Sequence, residues 1–230
     1  MEIEVDNIKI SYHNNSTDIG IIQEIFFEDP YHIADIPNNS LIIDIGAHIG
    51  IFSLRCAKER NCIVYAYEPC EDNYRLLIDN IRNNGLEDKI KAFRMAVSNQ
   101  SGIREFYIDT YHYAGSSFYL KESAEKKTFD RSYYSEKVEC ITLKQIFDSN
   151  NIEHCYILKM DCEEEEKNIL LDKDSSDILD KIDKIIVEFH LLSYGKEIAE
   201  YLKNKGFSIY CNNEFQFERG TIYADKLSKE

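Results

Sequence analysis

The chain has 230 residues, of which 43% are hydrophobic and 12% aromatic, and it carries a formal net charge of -15. The length and the hydrophobic fraction are typical of one folded domain with a modest extension, and they exclude a disordered chain. The negative charge argues against nucleic acid and anionic membranes as partners, because lysine and arginine are the residues that bind phosphate groups.

The cysteines and the N-terminus predict a cytoplasmic protein. Seven cysteines are present, which is an odd number, and no two of them form a C-x-x-C pair, so we interpret them as reduced thiols. The first ten residues lack the basic and apolar regions of a signal peptide. No apolar run approaches the ~20 residues that a membrane span needs, so we predict no membrane insertion.

The first part of the chain, over residues 1–38, predicts a short β/α extension. Apolar residues at alternate positions predict two short strands around Asp6, and residues 19–27 predict a helix that ends before Pro30. We expect this extension to pack on a core domain over residues 39–230.

From residue 41 onward, apolar runs alternate with amphipathic segments. Runs typical of strands lie at 41–43, 62–67, 90–97, 104–109, 137–141, 155–160, 185–189, 207–211 and 219–225. Helices are predicted between many of them, including 50–60 and 71–83, and Thr142 is placed to cap another. The alternation predicts a mostly parallel sheet with helices on both faces. The last two runs have no helix between them and predict an antiparallel strand at the sheet edge.

The residues from Asp44 to Gly50 form a turn between a strand and a helix. Glycine permits positive φ and a close approach of a ligand to the backbone, and the helix N-terminus beyond it offers N–H groups to an anion. A dinucleotide-binding loop has the spacing G-x-G-x-x-G, whereas three residues separate Gly46 from Gly50 here. This spacing favours the carboxylate of S-adenosylmethionine over a pyrophosphate.

An acidic residue follows the glycine loop at the distance expected for a nucleoside site. Glu68 lies 22 positions after Gly46, at the end of the second predicted strand of the core. An acid at about this distance accepts hydrogen bonds from ribose hydroxyls. Glu68 therefore supports nucleoside binding without choosing between a dinucleotide and S-adenosylmethionine.

Together with later motifs, these residues resemble the FkbM family of methyltransferases, within the larger class I group. The resemblance covers roughly residues 38–225. It rests on the order and spacing of Ile43 to Gly50, Tyr67-Glu68-Pro69 with Asn73, Ala96-Val97-Ser98, Gly115-Ser116-Ser117, Leu143, Leu158 to Glu163, and Glu188-Phe189-His190. It implies a seven-stranded Rossmann-like α/β fold, S-adenosylmethionine as cofactor, and most often O-methylation of a hydroxyl on a sugar, glycolipid or secondary metabolite.

The predicted cofactor site lies at the carboxyl ends of the first strands of the core, where doubly wound sheets bind ligands. Its residues are Asp44, Gly46, Ala47, His48, Gly50, Glu68, Pro69, Asn73, Ala96, Val97 and Ser98. Lys159, in a later strand, is interpreted as the partner of a structural ion pair.

The predicted catalytic residues are Asp161, Glu163 and His190. Methyl transfer needs the acceptor oxygen to lie behind the methyl carbon, and a hydroxyl acceptor also needs a base. Asp161 and His190 end two predicted strands, and either can be that base, although histidine has the better ordinary pKa. Glu163 and Glu166 are spaced to share a helix face, where they would either orient the substrate or be solvated. We predict no metal, because no compact ligand spacing such as H-x-x-x-H is present.

One departure from the family pattern concerns the site. The family usually has glycine and then a small residue after the acid that corresponds to Glu163, whereas this chain has Glu164 and Glu165. If the glycine supplies an unusual φ, glutamate would shift the backbone. A catalytically degenerate protein that only binds the cofactor is therefore one alternative. A NAD-dependent oxidoreductase is a second alternative, which the missing middle glycine and the absence of a late Tyr-x-x-x-Lys pair disfavour. A methyltransferase that acts on an amine or a protein side chain is a third.

The acceptor is predicted to be a small molecule or a glycan. The irregular segment 100–136 is expected to cover the active site, with tyrosines that either stack on the acceptor or belong to the core. These tyrosines are Tyr111, Tyr113, Tyr119, Tyr133 and Tyr134. The N-terminal strands would cap the sheet or pair with a second copy, which leaves a homodimer open.

Overall fold

The structure is a computed structural model that describes residues 1–14, 17–109, 115–119 and 133–227. The strands in these ranges are β1 (Glu2–Val5), β2 (Ile8–Ser11), β3 (Leu41–Ile45), β4 (Ile63–Tyr67), β5 (Ile90–Phe93), β6 (Ala96–Val97), β7 (Gly102–Asp109), β8 (Tyr133–Ile141), β9 (Cys155–Met160), β10 (Ile182–Phe189), β11 (Phe207–Cys211) and β12 (Gly220–Lys226).

The helices alternate with these strands as the apolar pattern predicts. The α-helices are α1 (Asp18–Gln23), α2 (Ile51–Arg60), α3 (Glu71–Asn83), α4 (Leu143–Ser149), α5 (Glu166–Leu170) and α6 (Leu192–Asn204). A π-helical turn, Glu24–Glu28, continues α1. Thr142 caps α4 in a capping box with Gln145, which confirms the predicted cap. None of the helices in the described ranges has the length and apolar composition that crossing a membrane requires.

Seven strands form the main sheet, in the order β11-β12-β10-β9-β3-β4-β5. Strands β3, β4, β5, β9 and β10 pair in parallel, whereas β12 is antiparallel to both of its neighbours. This confirms the Rossmann-like α/β sheet with one antiparallel strand.

The antiparallel strand is not the outermost one, which corrects its predicted place at the edge. Strand β12 lies one position inside, and β11 forms the edge. Burial follows this order, since Ile222 and Ala224 of β12 are buried whereas Tyr210 of β11 is largely exposed.

A second sheet, of order β6-β8-β7, lies beside the main one. The predicted single strand over residues 90–97 is divided between the two sheets. Strand β5 pairs with β4, and after two residues β6 pairs with the end of β8. The chain therefore leaves the main sheet at Phe93, and this crossing brings Ala96 and Val97 beside the carboxyl ends of the parallel strands.

Two hydrophobic clusters cover the two faces of the main sheet. Successive residues of β3 enter opposite clusters, with Ile43 in one and Ile42 in the other, as expected for a strand buried on both faces. One cluster includes residues of α4, α5 and α6, and the other includes α2, α3 and the N-terminal extension. Asn80 of α3 also exchanges two hydrogen bonds with the backbone of Ser11. The division of the chain after residue 38 stays a prediction.

Candidate active site

A cleft of about 1230 Å³, which includes space open to solvent, lies at the carboxyl ends of the parallel strands. Most of the predicted site residues line it. They are Gly46, Ala47, His48, Glu68, Pro69, Asn73, Ala96, Val97, Asp161, Glu163 and His190. Three predicted cofactor residues, Asp44, Gly50 and Ser98, are buried and are not among the residues that line the cleft.

The glycine loop is held by the protein's own backbone. The N–H groups of Gly46 and Ala47 both donate to the carbonyl of Tyr67, each at 3.0 Å. Gly46 has a φ of 75°, and a Cβ there would overlap the carbonyl oxygen of Asp161. The sequence analysis explained this glycine by the close approach of a ligand. The structure adds a second reason, because the backbone at the end of β9 leaves no room for a side chain. The first turn of α2 continues the cleft wall at Ile51 and presents its N-terminal N–H groups.

Asp44 acts from beneath this loop. Its carboxylate accepts a hydrogen bond from Ser53 at 2.6 Å and lies 3.2 Å from the ammonium of Lys159. Lys159 also donates to the carbonyl of Gly46 at 2.8 Å. Lys159 is thus part of a structural ion pair, as the sequence predicted, and the pair fixes the loop against β9.

Glu68 is the polar centre of the end of the cleft formed by Glu68, Asn73, Ala96 and Val97, which we call the nucleoside end. Its two carboxylate oxygens accept the N–H groups of His48 at 2.8 Å and Cys70 at 3.0 Å. Burial raises the pKa of Glu68 to about 7, and these hydrogen bonds limit the rise.

The nucleoside end has unused acceptors. Oε1 of Glu68 accepts hydrogen bonds from Cys70 and from the side-chain amide of Asn73, at 3.0 and 3.3 Å, whereas Oε2 accepts one from His48 and can accept another. The side-chain oxygen of Asn73 is buried and has no hydrogen-bond partner in the part of the chain that the structure describes. A buried acceptor without a partner is costly, and ribose hydroxyl groups are donors that match it. These residues therefore fit a nucleoside.

Apolar side chains complete this end of the cleft. Met95, Phe106 and Phe118 line it beside Ala96 and Val97. The rings of Phe106 and Phe118 meet edge to face at 5.2 Å between centroids. This wall suits a flat aromatic base. The sequence analysis missed it, since the residues come from the second sheet and from two separate connecting segments.

The opposite end of the cleft gathers Asp161, Glu163, Glu166, Glu188 and His190, and we call it the acidic end. Nε2 of His190 lies 3.5 Å from Glu163 and 3.8 Å from both Asp161 and Glu188, and Nδ1 lies 3.8 Å from Glu166. The three predicted catalytic residues are thus brought together, with two further carboxylates.

Burial and neighbouring negative charges raise the pKa values of carboxyl groups at the acidic end. The neighbouring charge of Asp161 raises the pKa of Glu188, and burial adds to the rise. Burial raises the pKa of Glu166 to about 7. Glu24 of the π-helical turn also lines this end, and burial raises its pKa as well. The surroundings of these carboxyl groups therefore favour either their protonation or a positively charged partner.

The sequence profile described as the methyltransferase FkbM domain matches residues 44–209, which is more than half of the chain. The chain belongs to the FkbM methyltransferase family. This membership and the fold imply S-adenosylmethionine as the cofactor. The family membership also favours a methyltransferase over the oxidoreductase that the sequence left open.

Two relatives of the chain are also named as methyltransferases. The chain is 26% identical to the methyltransferase sdnD of Sordaria araneosa over 82% of both chains. It is 30% identical to a tRNA (guanine(37)-N(1))-methyltransferase of Batrachochytrium dendrobatidis over 48% of this chain, but that match spans only 22% of the relative. A solved structure from Clostridium thermocellum, assigned as an rRNA methylase, has a TM-score of 0.52 at 10% identity and covers 95% of this chain and 100% of its own, which shows the fold alone.

The departure from the FkbM pattern at Glu164 has a backbone consequence. Glu163 and Glu164 have φ values of 53° and 83°, and α5 begins only at Glu166. Glu163 and Glu166 therefore do not share a helix face, which corrects that prediction. Position 164, where the family usually has glycine, lies in the region that favours glycine, so glutamate there costs about 1–2 kcal/mol.

Glu165 is accommodated by partners that come from distant parts of the chain. This buried carboxylate accepts hydrogen bonds from Ser98 at 2.5 Å, Tyr119 at 2.8 Å, Arg104 at 2.9 Å and Asn168 at 3.1 Å. Glu165, the second position at which the chain departs from the FkbM pattern, thus connects the start of α5 to the second sheet and to the segment 115–119. Sequence reasoning missed this role, because contacts across more than 60 positions leave no local pattern.

The N-terminal extension of this FkbM protein forms part of the cleft, which the sequence analysis also missed. Ile21, Ile25 and Tyr31 line the cleft. The imidazole of His48 lies 3.5 Å from the carboxylate of Asp18, so the extension contacts the cofactor loop directly. Burial lowers the pKa of His48 to about 4. This supports a packing role for the His48 side chain.

The tyrosines predicted to cover the site do not form one group in the described residues. Tyr119 bonds to Glu165 behind the wall, and Tyr134 lies on the surface. Tyr111, Tyr113 and the side chain of Tyr133 lie outside the described residues. Stacking of these rings on an acceptor stays a prediction.

Proposed function

We propose that the protein transfers a methyl group from S-adenosylmethionine to a hydroxyl oxygen of a neutral small molecule or glycan. The observation that carries this proposal is the position of the acidic end, which continues the same cleft that fits a nucleoside. An acceptor bound there would meet the reactive part of a cofactor whose nucleoside lies beside Glu68.

The cofactor contacts follow from the residues of the cleft wall. Glu68 and Asn73 would accept hydrogen bonds from the ribose hydroxyls, and Ala96, Val97 and the phenylalanine wall would contact the base. The first turn of α2 would face the carboxylate of the methionine moiety. S-adenosylmethionine supplies a methyl group that its sulfonium activates. Asp44, Gly50 and Ser98 would act by holding these contacts in place.

The acidic end would position the acceptor and remove its proton. The carbon–oxygen bond forms as the carbon–sulfur bond breaks, and the hydroxyl proton passes to a carboxylate or imidazole of this end. Asp161 and Glu163 line the cleft, as does His190, so each is proposed to contact the acceptor hydroxyl. The leaving group would be S-adenosylhomocysteine, which is a neutral sulfide.

Charge limits the class of acceptor. Carboxylates from β9, β10 and the π-helical turn would repel phosphate or carboxylate groups, and the whole chain carries -15. RNA, the substrate named for one relative, is disfavoured for this reason. A protonated amine would suit the same carboxylates, so an amine is the second candidate acceptor.

Transfer of labelled methyl groups tests the proposal. The purified protein is incubated with S-adenosylmethionine that carries a ¹³C methyl group and with panels of sugars, polyols, hydroxylated metabolites and amines. We expect a methyl ether, identified by the chemical shift of the new carbon, and a loss of at least 100-fold with Asp161→Asn. If the products are methylated amines, the acceptor is an amine and not a hydroxyl. Binding of S-adenosylhomocysteine without turnover on any panel would support the catalytically degenerate alternative.

A further inference from the structure

Three side chains of the acidic end have the arrangement of metal ligands. Asp161 follows β9, Glu166 begins α5 and His190 follows β10, and one ligand atom from each lies within 4.8 Å of the others. A divalent cation about 2.1 Å from each ligand would separate them by about 3–3.5 Å. Nε2 of His190 lies 3.8 Å from Asp161, whereas Nδ1 lies 3.8 Å from Glu166, and one ion would use only one of these nitrogens. From a separation of at most 4.8 Å, side-chain movements of about 1–2 Å would bring the three ligand atoms into coordination distance.

His190 provides an independent sign that this cluster binds something. Its side chain is only 4% exposed, and Nδ1 is buried with no hydrogen-bond partner among the residues that the structure describes. Buried imidazole nitrogens normally have a partner, because an unpaired one costs roughly 1–3 kcal/mol. The carboxylates around His190 lie at 3.5–3.8 Å, which is too far for hydrogen bonds.

The charge of the acidic end points to a cation as the missing partner. Four carboxylates lie around one imidazole, and the guanidinium of Arg219 lies 4.0 Å from Glu163. Lys159 also lines the cleft, but it is paired with Asp44. A divalent ion would offset the repulsion between the carboxylates and would use both kinds of donor atom.

We propose that Asp161, Glu166 and His190 bind one divalent cation of the Mg²⁺ or Mn²⁺ class at the acidic end of the cleft. Two carboxylates and one imidazole suit these ions, and three protein ligands leave coordination positions for water or an acceptor hydroxyl. The cation would lower the pKa of that hydroxyl, and Glu163 and Glu188 would stay available for its proton. Its role in methyl transfer rests on the proposed function, whereas its binding does not.

Titration with Mn²⁺ tests the site. The full chain is freed of metal with a chelator, and free Mn²⁺ is followed by electron paramagnetic resonance without cofactor. We expect one Mn²⁺ per chain, at least 10-fold weaker binding to Glu166→Gln and to His190→Gln, and unchanged binding to the surface variant Asp79→Asn. We also expect chelation to lower methyl transfer at least 10-fold and Mn²⁺ or Mg²⁺ to restore it.

Two results would overturn the proposal. The first is no stoichiometric binding of Mn²⁺, Mg²⁺ or Zn²⁺ to the wild-type chain. The second is binding that Glu166→Gln leaves unchanged, because Glu166 is then not a ligand. The same metal-free samples are also titrated with S-adenosylhomocysteine. Because the cation ligands are not residues of the nucleoside end, binding of this compound without binding of a cation would overturn the cation site and leave the proposed function standing.

Discussion

The two ends of the cleft differ in how their polar groups are satisfied. At the nucleoside end, Glu68 accepts hydrogen bonds from two backbone N–H groups at 2.8–3.0 Å and from the amide of Asn73 at 3.3 Å, and its Oε2 can accept one more. At the acidic end, the carboxylates lie 3.5–3.8 Å from the nitrogens of His190, and the charge of Asp161 raises the pKa of Glu188. The nucleoside end is therefore preformed for its ligand, whereas the acidic end needs a ligand or cation to complete it.

The two ends meet at Gly46, so the substitution Gly46→Ala has the largest expected effect. A Cβ at Gly46 would overlap the backbone of Asp161, and the φ of 75° disfavours alanine. Since the backbone has to move, we expect the free energy of unfolding to fall by about 4 kcal/mol and the melting temperature to fall by roughly 8–16 °C.

Gly85→Ala is the matched control for that measurement. Gly85 has a φ of 65°, but a Cβ there has open space around it. Thermal unfolding of Gly85→Ala should show a loss of only about 1 kcal/mol. Equal losses for the two variants would show that backbone conformation, and not the contact with Asp161, makes Gly46 necessary.

The variant Glu68→Ala should weaken ligand binding at the nucleoside end and leave the acidic end unchanged. Removing the carboxylate deletes the proposed ribose acceptor, so we expect the affinity for S-adenosylhomocysteine to fall about 100-fold by calorimetry, or about 2.7 kcal/mol. Binding of Mn²⁺ to the acidic end should be unchanged. The same variant should not affect folding enough to abolish a cooperative thermal transition, and Asp79→Asn should retain full affinity for both ligands.

The pH dependence of the nucleoside end follows from the raised pKa of Glu68, which is about 7. Ionised Glu68 accepts the ribose hydrogen bonds, so affinity for S-adenosylhomocysteine should increase roughly tenfold between pH 6 and pH 8. The folded chain holds the Glu68 proton more tightly than the unfolded chain does. Stability from this group is therefore present at low pH and is lost as pH rises from its ordinary pKa through about 7.

Affinity and stability should thus change in opposite directions with pH. Calorimetry and thermal unfolding across this range measure the two slopes. The variant Glu68→Gln has no titrating group, so its affinity should be flat. A wild-type affinity that falls with rising pH would contradict the assignment of Glu68 to the ribose.

Glu164→Gly should have the smallest effect, and it should be favourable. Relief of the φ of 83° gains about 1–2 kcal/mol, and the added freedom of glycine in the unfolded chain offsets roughly half of this. We expect thermal unfolding to show a gain of up to ~1 kcal/mol. Glu165→Gly is the contrasting neighbour, because it removes the partner of Arg104 and should lose about 2 kcal/mol.

The predictable parts of the site are those that depend on short-range rules. The loop at Gly46, the acid at Glu68 and the strand ends at Asp161 and His190 follow from strand–helix alternation and from the rule that ligands bind at carboxyl strand ends. Their convergence is a property of a parallel sheet, so the sequence was sufficient to place them.

The remaining parts depend on contacts between distant segments. The bonds of Glu165 to Ser98 and Arg104, and the lining of the cleft by Tyr31, have no local signature. The fully buried position of Ser98 is set by the second sheet, which no periodicity in the chain predicts. These residues became visible only when the packing of the two sheets and of the extension was known.

Calorimetry with S-adenosylhomocysteine, and with NAD⁺ in parallel, tests the central claim most directly. The account predicts one S-adenosylhomocysteine site per chain with micromolar affinity in the wild-type protein, a strong loss in Glu68→Ala, and no detectable binding of NAD⁺. Binding of NAD⁺ alone, or of neither compound, would contradict it.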